Sequence, residues 1–504
     1  MASDKEFGLA GYARLCGRHS IRCLPNHIRS IVVQRTRSTE TKDGLVTETY
    51  PKSYWPGEGD FGHLEFALKR EGVHLQLLRE LLPRLPVGGL VDYVRSKPTS
   101  AYARRIWLLF EQFTGKRVEA LGDVQKGNYA DLLAPDEYFT GERVRSKRHR
   151  INVNLPGTWE FCPLVRKTGK IADFQSLHLA GKCLDFLDTI PRETYGRALQ
   201  YMYTKETKSS YAIEREKPDQ VRARDFAEAL KGADRGDYLE KSKLVGLQNL
   251  VVDPRFADEG WRDTKDEQVY VGRSLSNGEE EIHFVAPRPQ EIGELMDAYL
   301  DAAKRILGSD MDPVVAAAIV SYAFVFLHPF SDGNGRIHRF LIHYVLTRKK
   351  FAPEGVLFPV SATMLNRMGE YDASLESFSK HLMPLVDFEL DHRGRMKVNN
   401  DTRDHYRHMD LTQAAEALYA FVEETINEEM PSEIRFLHNY DQARVAMKGV
   451  VDLPNRHADL FVKLCLQNNG KLSKAKRGLE EFRELTEEEI RGLEEVVAEA
   501  FSDV

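Results

Sequence analysis

Cysteine is scarce in this chain: five among 504 residues, Cys16, Cys23, Cys162, Cys183 and Cys465, odd in number and scattered. That excludes a disulfide framework and zinc-ligand spacing, and it fits reduced thiols in a cytosol-like compartment. Long apolar runs are missing too. The uncharged stretch from Pro313 to Leu327 falls short of the ~18 residues that mark a membrane-spanning candidate, so no membrane partner is expected. The N-terminus has no apolar signal-peptide segment, and a cytoplasmic location is the expectation. Charge of neither sign dominates: 71 Lys and Arg against 77 Asp and Glu leave a net charge of −6. Such a balance makes no general case for nucleic-acid or membrane binding. Internal repeats, low-complexity tracts and a P-loop are absent as well.

What the chain does have is concentrated between His328 and Arg339, reading HPFSDGNGRIHR. Upstream, Asp312 is a candidate N-cap and Pro313 sits at the first helical position, which predicts a buried helix to Leu327 that holds His328 at its end. Downstream, Ile337, Phe340, Leu341, Tyr344 and Val345 recur at helical spacing, with Arg336, Arg339 and His343 on the opposite face. Two arginines one turn apart above a helix N-terminus concentrate positive charge where backbone N–H groups already point outward, an arrangement suited to a polyphosphate. Between the helices, Ser331, Asp332, Gly333, Asn334 and Gly335 form a loop whose glycines permit a nest of amides around a phosphate. Asp332 is a hard oxygen ligand, and one carboxylate plus substrate phosphates suffices for Mg²⁺. Each part has an ordinary structural reading, since a histidine often closes a helix and Asp-Gly is a common turn.

A second feature is a β-hairpin. Val269 to Val271 and Ile282 to Val285 are β-prone segments flanking Asn277-Gly278, a strong hairpin signal inside a chain dominated by helical patterning. A lone hairpin is marginal unless it packs on something or pairs with a further strand, so a plain surface hairpin is the alternative.

The 328–339 segment matches, at every defined position, the signature of the Fic family, whose members typically transfer AMP from ATP to a protein hydroxyl. The resemblance implies a mainly α fold: a Fic-type helical core with a β-hairpin flap, flanked by N- and C-terminal helical regions. It implies His328 as general base for a Ser, Thr or Tyr hydroxyl, and Asp332 as the Mg²⁺ ligand. Ser331, Gly333, Gly335 and Asn334 would lie around the α-phosphate, and Arg336 and Arg339 on the β- and γ-phosphates. ATP and Mg²⁺ are the implied substrate and cofactor, and a protein with a hydroxyl side chain the implied partner. Val269, Tyr270, Val271 and Gly272 fall on the flap that adds a target segment as an extra strand. Ser361-Ala362-Thr363 and Tyr371 sit where the family has residues near the nucleotide base, although Tyr371 also fits the core. Relatives that move a terminal phosphate carry a lysine where this chain has Gly335, which argues for AMP transfer.

Many Fic proteins carry an inhibitory helix of the form [Ser/Thr]-x-x-x-Glu-[Gly/Asn], whose glutamate pairs with the second motif arginine. The nearest N-terminal match is Ala67-Leu68-Lys69-Arg70-Glu71-Gly72, with alanine in place of the hydroxyl. Glu71 is therefore the candidate regulatory partner of Arg339, against a solvated glutamate on an amphipathic helix from His63 to Leu82.

Length predicts about three modules at ~150 residues each. The patterning divides the chain into a helical N-terminal region, 1–122, after an irregular polar start; a loop-rich region, 123–236; the catalytic core, 237–390; and a helical C-terminal region, 391–504, joined by a polar linker after Arg393. Arg143, Arg145, Lys147, Arg148 and Arg150 form a basic cluster that fits a solvated face or an acidic partner. Thr486 and Glu489 spell a capping box. Asn469-Gly470 followed by Lys471, Lys474, Lys476 and Arg477 fits a helix-turn-helix or, in preference, a bundle that packs on the core or pairs subunits into a homo-oligomer. Three functions compete: AMP transfer, removal of AMP from a modified protein, and DNA-binding regulation through the C-terminal helices. The intact motif favours the first and makes nucleic acid an unlikely partner.

Overall fold

The computed structural model describes residues 8–42, 44–264, 268–274, 280–353 and 355–502. Its centre is the helix Pro313–Leu327, in which every residue from Val314 onward is buried. The sequence explains both ends. The Asp312 carboxylate accepts from the Val314 and Val315 amides at 2.9 and 3.1 Å, and Pro313 removes a donor that would otherwise lack a partner. Around this helix pack Pro289–Gly308, Asn334–Arg348 and Thr412–Glu424. Apolar on all sides, it is a core helix with no solvent face.

Asn334–Arg348 departs from the expected two-faced pattern. Arg336, Arg339 and His343 lie opposite the apolar stripe, yet all three are buried. The long helix Arg192–Ile213 covers that face, with Ser210 meeting Arg339 and Glu206 meeting His343. Buried charge here is matched by buried polar groups on the covering helix, among them Glu206, Thr207, Ser209 and Ser210.

The hairpin pairs Tyr270–Ser274 with Glu280–Val285, antiparallel, with a register shift between Val271 and Gly272. Gly272 is required there, because a Cβ would lie 2.6 Å from the Glu281 carbonyl oxygen. The Asn277-Gly278 turn lies outside the described residues. Val269, Tyr270 and Ile282 pack on the core, whereas Val271 is exposed.

Three regional expectations change. The polar start is a four-stranded sheet in the order Gly8–Ala10, Ile28–Val33, Leu45–Pro51, Ser38–Lys42, whose two middle strands run parallel; its strands are short and mostly half-exposed, so apolar periodicity is weak. Helices from Asp60 to Thr114 follow, around their own core of residues such as Leu64, Leu78, Ile106 and Trp107. The region 123–236 is loop-rich only in its first part; from Gly169 it consists of helices, including the one that covers the motif. The polar stretch after Arg393 is a small hairpin, Phe388–Leu390 with Met396–Val398, and Thr412–Glu424 returns into the core. Packing thus crosses position 390, because Leu418, Phe421 and Val422 belong to the same core as Phe324 and Leu327.

The C-terminal helices Met430–Met447, Asn455–Leu466 and Glu487–Ala500 form a bundle around Phe461, Cys465, Phe482, Leu493 and Val497. The Thr486–Glu489 capping box forms. Arg477 is bound to Glu487 and Glu494. Among the described residues no helix is long and apolar enough to cross a membrane.

The Asp312 cap anchors the central helix, so Asp312→Ala is expected to lower the free energy of unfolding by about 1 kcal/mol in equilibrium urea denaturation. An unchanged midpoint would mean that packing alone defines that end.

Candidate functional site

The central helix ends at His328, which takes a left-handed backbone conformation (φ 50°, ψ 58°) while its N–H still reaches the Phe324 carbonyl. A non-glycine residue pays conformationally for that turn. Nδ1 lies 3.2 Å from the Val325 carbonyl oxygen. A carbonyl can only accept, so the proton sits on Nδ1 and the Nε2 lone pair is left to take a proton. Burial, and next the Arg262 charge, push the His328 pKa down to about 4. The ring is therefore neutral through the physiological range.

His328 lines a cleft of about 470 Å³ together with Val271, Arg273 and His283 of the hairpin and Arg215 and Asp372 from flanking elements. Hairpin and His328 thus share one cavity. Tyr270 points elsewhere, its hydroxyl donating to the Gly394 carbonyl at 3.1 Å.

The loop is held from inside and outside. The Asn334 side chain accepts from the Phe330 N–H at 3.1 Å and donates to the Phe330 carbonyl at 2.8 Å, so both ends of its amide brace the loop. That differs from the expected phosphate contact by this side chain. Asp258 accepts from the Ser331 N–H at 3.0 Å. Gly333 caps the following helix at φ 90°, and a Cβ there would lie 2.9 Å from Val252. Ser331 Oγ and Arg336 Nε are buried and have no hydrogen-bond partner among the described residues. Both are donors, and an anion in the loop would satisfy them.

The two arginines are each 1% exposed and each bound to a carboxylate. Arg336 donates to Glu216 (2.8 Å), Asp332 (2.8 Å) and the Val251 carbonyl (2.9 Å), and stacks over Tyr211. Arg339 donates to Glu214 (2.8 Å), to the Ser210 hydroxyl and carbonyl, and to the Tyr371 hydroxyl. Glu214 lies so close to the loop that a Cβ on Gly335 would be 2.1 Å from its carboxylate. Tyr371 is buried, with its ring near His338 and Phe421, so its polar tip serves Arg339 and its faces belong to the core. Ser361 and Thr363 are likewise buried, bound to Glu206 and Thr425. Asp332 is the carboxylate of the loop, 43% exposed. No group of three or more potential metal ligands occurs among the described residues. One exposed carboxylate beside donors for phosphate fits Mg²⁺ arriving with a nucleotide, and does not fit a resident metal centre.

Glu71 is not the partner of Arg339. It is fully buried in the N-terminal region, where its carboxylate accepts from the Tyr12 N–H at 2.7 Å, and burial pushes its pKa up to about 7. The carboxylate on Arg339 is Glu214, which sequence reasoning missed. Ser210-Tyr211-Ala212-Ile213-Glu214 has the hydroxyl and the glutamate at inhibitory spacing, but Arg215 stands where the form has Gly or Asn. Arg215 has φ 57°, the left-handed conformation in which Gly or Asn costs least.

Two residues of the basic cluster pair with carboxylates and two others stack on an aromatic ring. Arg143 binds Asp131, Arg148 binds Glu111 and Asp123, and Arg145 and Arg150 stack on Tyr129.

In a nuclear magnetic resonance titration the His328 imidazole is expected to protonate near pH 4, since a lowered pKa keeps the ring neutral above it. A midpoint near the unperturbed ~6.5 would mean a solvated ring without the influence of Arg262.

Part of the chain is similar to known proteins. Residues 238–346 match the model of the Fic/DOC family. Protein adenylyltransferase fic-1 of Caenorhabditis elegans is 32% identical over 143 residues, which is 27% of this chain and 25% of that protein. Protein adenylyltransferase Fic of Drosophila willistoni is 36% identical over 86 residues, 17% of this chain and 15% of that protein. The chain thus spans about a quarter or less of the length of these relatives. A crystal structure of a Fic family protein from Desulfovibrio desulfuricans G20 aligns over 61% of this chain and 90% of that one, with 19% identity and a TM-score of 0.39. The chain carries, over residues 238–346, a domain of the Fic/DOC family.

Proposed function

We propose that this protein is an adenylyltransferase that moves AMP from ATP to a Ser, Thr or Tyr hydroxyl of a target protein, and that the structure captures it in a restrained state. The observation that supports this most is the shared cleft. The base with its free Nε2 lone pair and the exposed Val271 of the hairpin line one cavity, near a loop and the start of a helix that carry the unpartnered Ser331 hydroxyl and two buried arginines.

In this reading a target segment lies along the hairpin, placing its hydroxyl at His328 Nε2. The hydroxyl oxygen attacks the α-phosphorus, its proton passes to Nε2, and pyrophosphate leaves. The N–H groups of Asn334 and Gly335 and the Ser331 hydroxyl would bind the α-phosphate, joined by the Gly333 N–H once it leaves the Asp332 carboxylate to which it donates at 2.5 Å, and Arg336 and Arg339 would take the β- and γ-phosphates. Asp332 would hold Mg²⁺, which when bound supplies charge neutralisation of the phosphates. The rest of the catalysis is positioning and electrostatic stabilisation, with the base contributing ~10²–10⁴-fold.

Glu214 on Arg339 and Glu216 on Arg336 occupy the groups that the triphosphate needs, so ATP must displace them. A second reading follows from Glu214 alone: some Fic proteins use this glutamate to remove AMP from modified proteins, and Glu214 stands beside the same loop.

The test is incubation with Mg²⁺ and ATP labelled at the α-phosphate, read by intact mass. An AMP-sized adduct is expected on the protein or an added target, increased in Glu214→Gly by at least about tenfold and lost in His328→Ala. Label from the γ-phosphate instead would contradict AMP transfer. No transfer by Glu214→Gly, with release of AMP from a modified protein by wild type, would favour the reverse reaction.

A further inference from the structure

Arg262 is fully buried and lies outside the motif and the hairpin, in the connecting segment before the first hairpin strand. Its contacts nevertheless join the two. Nε donates to the carbonyl oxygen of His328 at 2.8 Å, and its backbone N–H donates to the carbonyl of Pro329 at 2.8 Å. Nη2 donates to the carbonyl of Pro287, two residues beyond the strand Glu280–Val285. Next to it, the Trp261 ring packs on Phe330 at 5.2 Å.

The need for such a group follows from the backbone. His328 closes its helix in the left-handed conformation, so its carbonyl turns out of the helical ladder and requires a donor from elsewhere. Whatever satisfies that carbonyl also fixes the peptide plane, and with it the direction in which the imidazole leaves the chain. A planar guanidinium offers several donors at fixed angles, and a lysine ammonium offers no such fork.

We infer that Arg262 is a positioning residue, which sets the orientation of His328 and holds the hairpin in register with it, so that the acceptor hydroxyl meets Nε2. This rests on the adenylyltransferase reading for its catalytic consequence, though not for its structural one. The hairpin determines where the target lies and the base determines where the proton goes, and a single side chain ties both backbones. Misplacement of ~1 Å in such a pair is enough to cost about a hundredfold in rate.

The experiment uses the full chain carrying Glu214→Gly, so that turnover is measurable, and compares Arg262→Gln and Arg262→Lys. In both, kcat for AMP transfer is expected to fall by about a hundredfold while KM for ATP stays within about twofold, since the nucleotide contacts are elsewhere. Imidazole titrations add a readout that general destabilisation does not produce. The His328 midpoint should rise in Arg262→Gln, which removes a neighbouring cation, and stay low in Arg262→Lys, while the Nδ1-protonated signal of a fixed ring is lost in both. Equal losses in kcat and ATP affinity, or an unaltered kcat, would overturn the inference. If the Glu214→Gly parent transfers no AMP, the functional reading fails by itself. The titrations then decide the positioning role, and His328 signals unchanged in Arg262→Gln would exclude it.

Discussion

Two guanidinium groups buried one turn apart on a single helix must have anions within reach, and most of the architecture around the motif can be understood from that requirement. Removing a guanidinium from water is tolerable when carboxylates and carbonyls replace the lost hydration, and leaving one unpaired costs roughly 3–5 kcal/mol where burial is complete. Here Arg336 and Arg339 are 1% exposed, while Glu214 and Glu216 are about a third exposed, so the cations are the more deeply committed partners. The carboxylates can leave toward solvent; the arginines cannot. A site built this way is kept charged and shaped in the absence of ligand, and on the proposed function a polyphosphate would replace the internal anions.

The covering helix Arg192–Ile213 ties that electrostatic device to the fold. It brings Ser210 and Glu206 to the arginine face, and its C-terminal turn carries Glu214, Arg215 and Glu216 into the loop. Arg215, at positive φ, turns the chain so that the carboxylates on either side of it reach different arginines, while its own side chain lines the cleft beside His328. His328 has a separate contact network, through the Val325 carbonyl and the Arg262 guanidinium. On the proposed function, phosphate binding and proton transfer would therefore depend on different parts of the structure that meet at one loop.

The motif and its two helices were legible in the sequence because their signals are local. An aspartate cap, a proline at the first turn, glycines at tight turns and helical spacing of Ile337, Phe340, Leu341 and Tyr344 each act within a few residues. The hairpin strands were legible for the same reason. What escaped depends on tertiary contacts. The helix Arg192–Ile213 buries polar residues whose partners lie more than a hundred positions away, so it shows little periodicity of its own. The polar stretch after Arg393 reads as a linker until the core beyond it is seen. Glu71 looked like a partner for Arg339 because a short Glu-Gly pattern carries no information about distance, and Glu214 was hidden by an arginine in a position that favours glycine.

On the proposed function, internal carboxylates and phosphate compete for the same two arginines. Isothermal titration of wild type and Glu214→Gln with ATP and with AMP, at matched Mg²⁺, tests it most directly. Loss of the carboxylate charge should tighten ATP binding by about tenfold or more, corresponding to ~1.4 kcal/mol, and leave AMP binding unchanged because AMP has no β- or γ-phosphate. Equal effects on both nucleotides, or none on ATP, would contradict it.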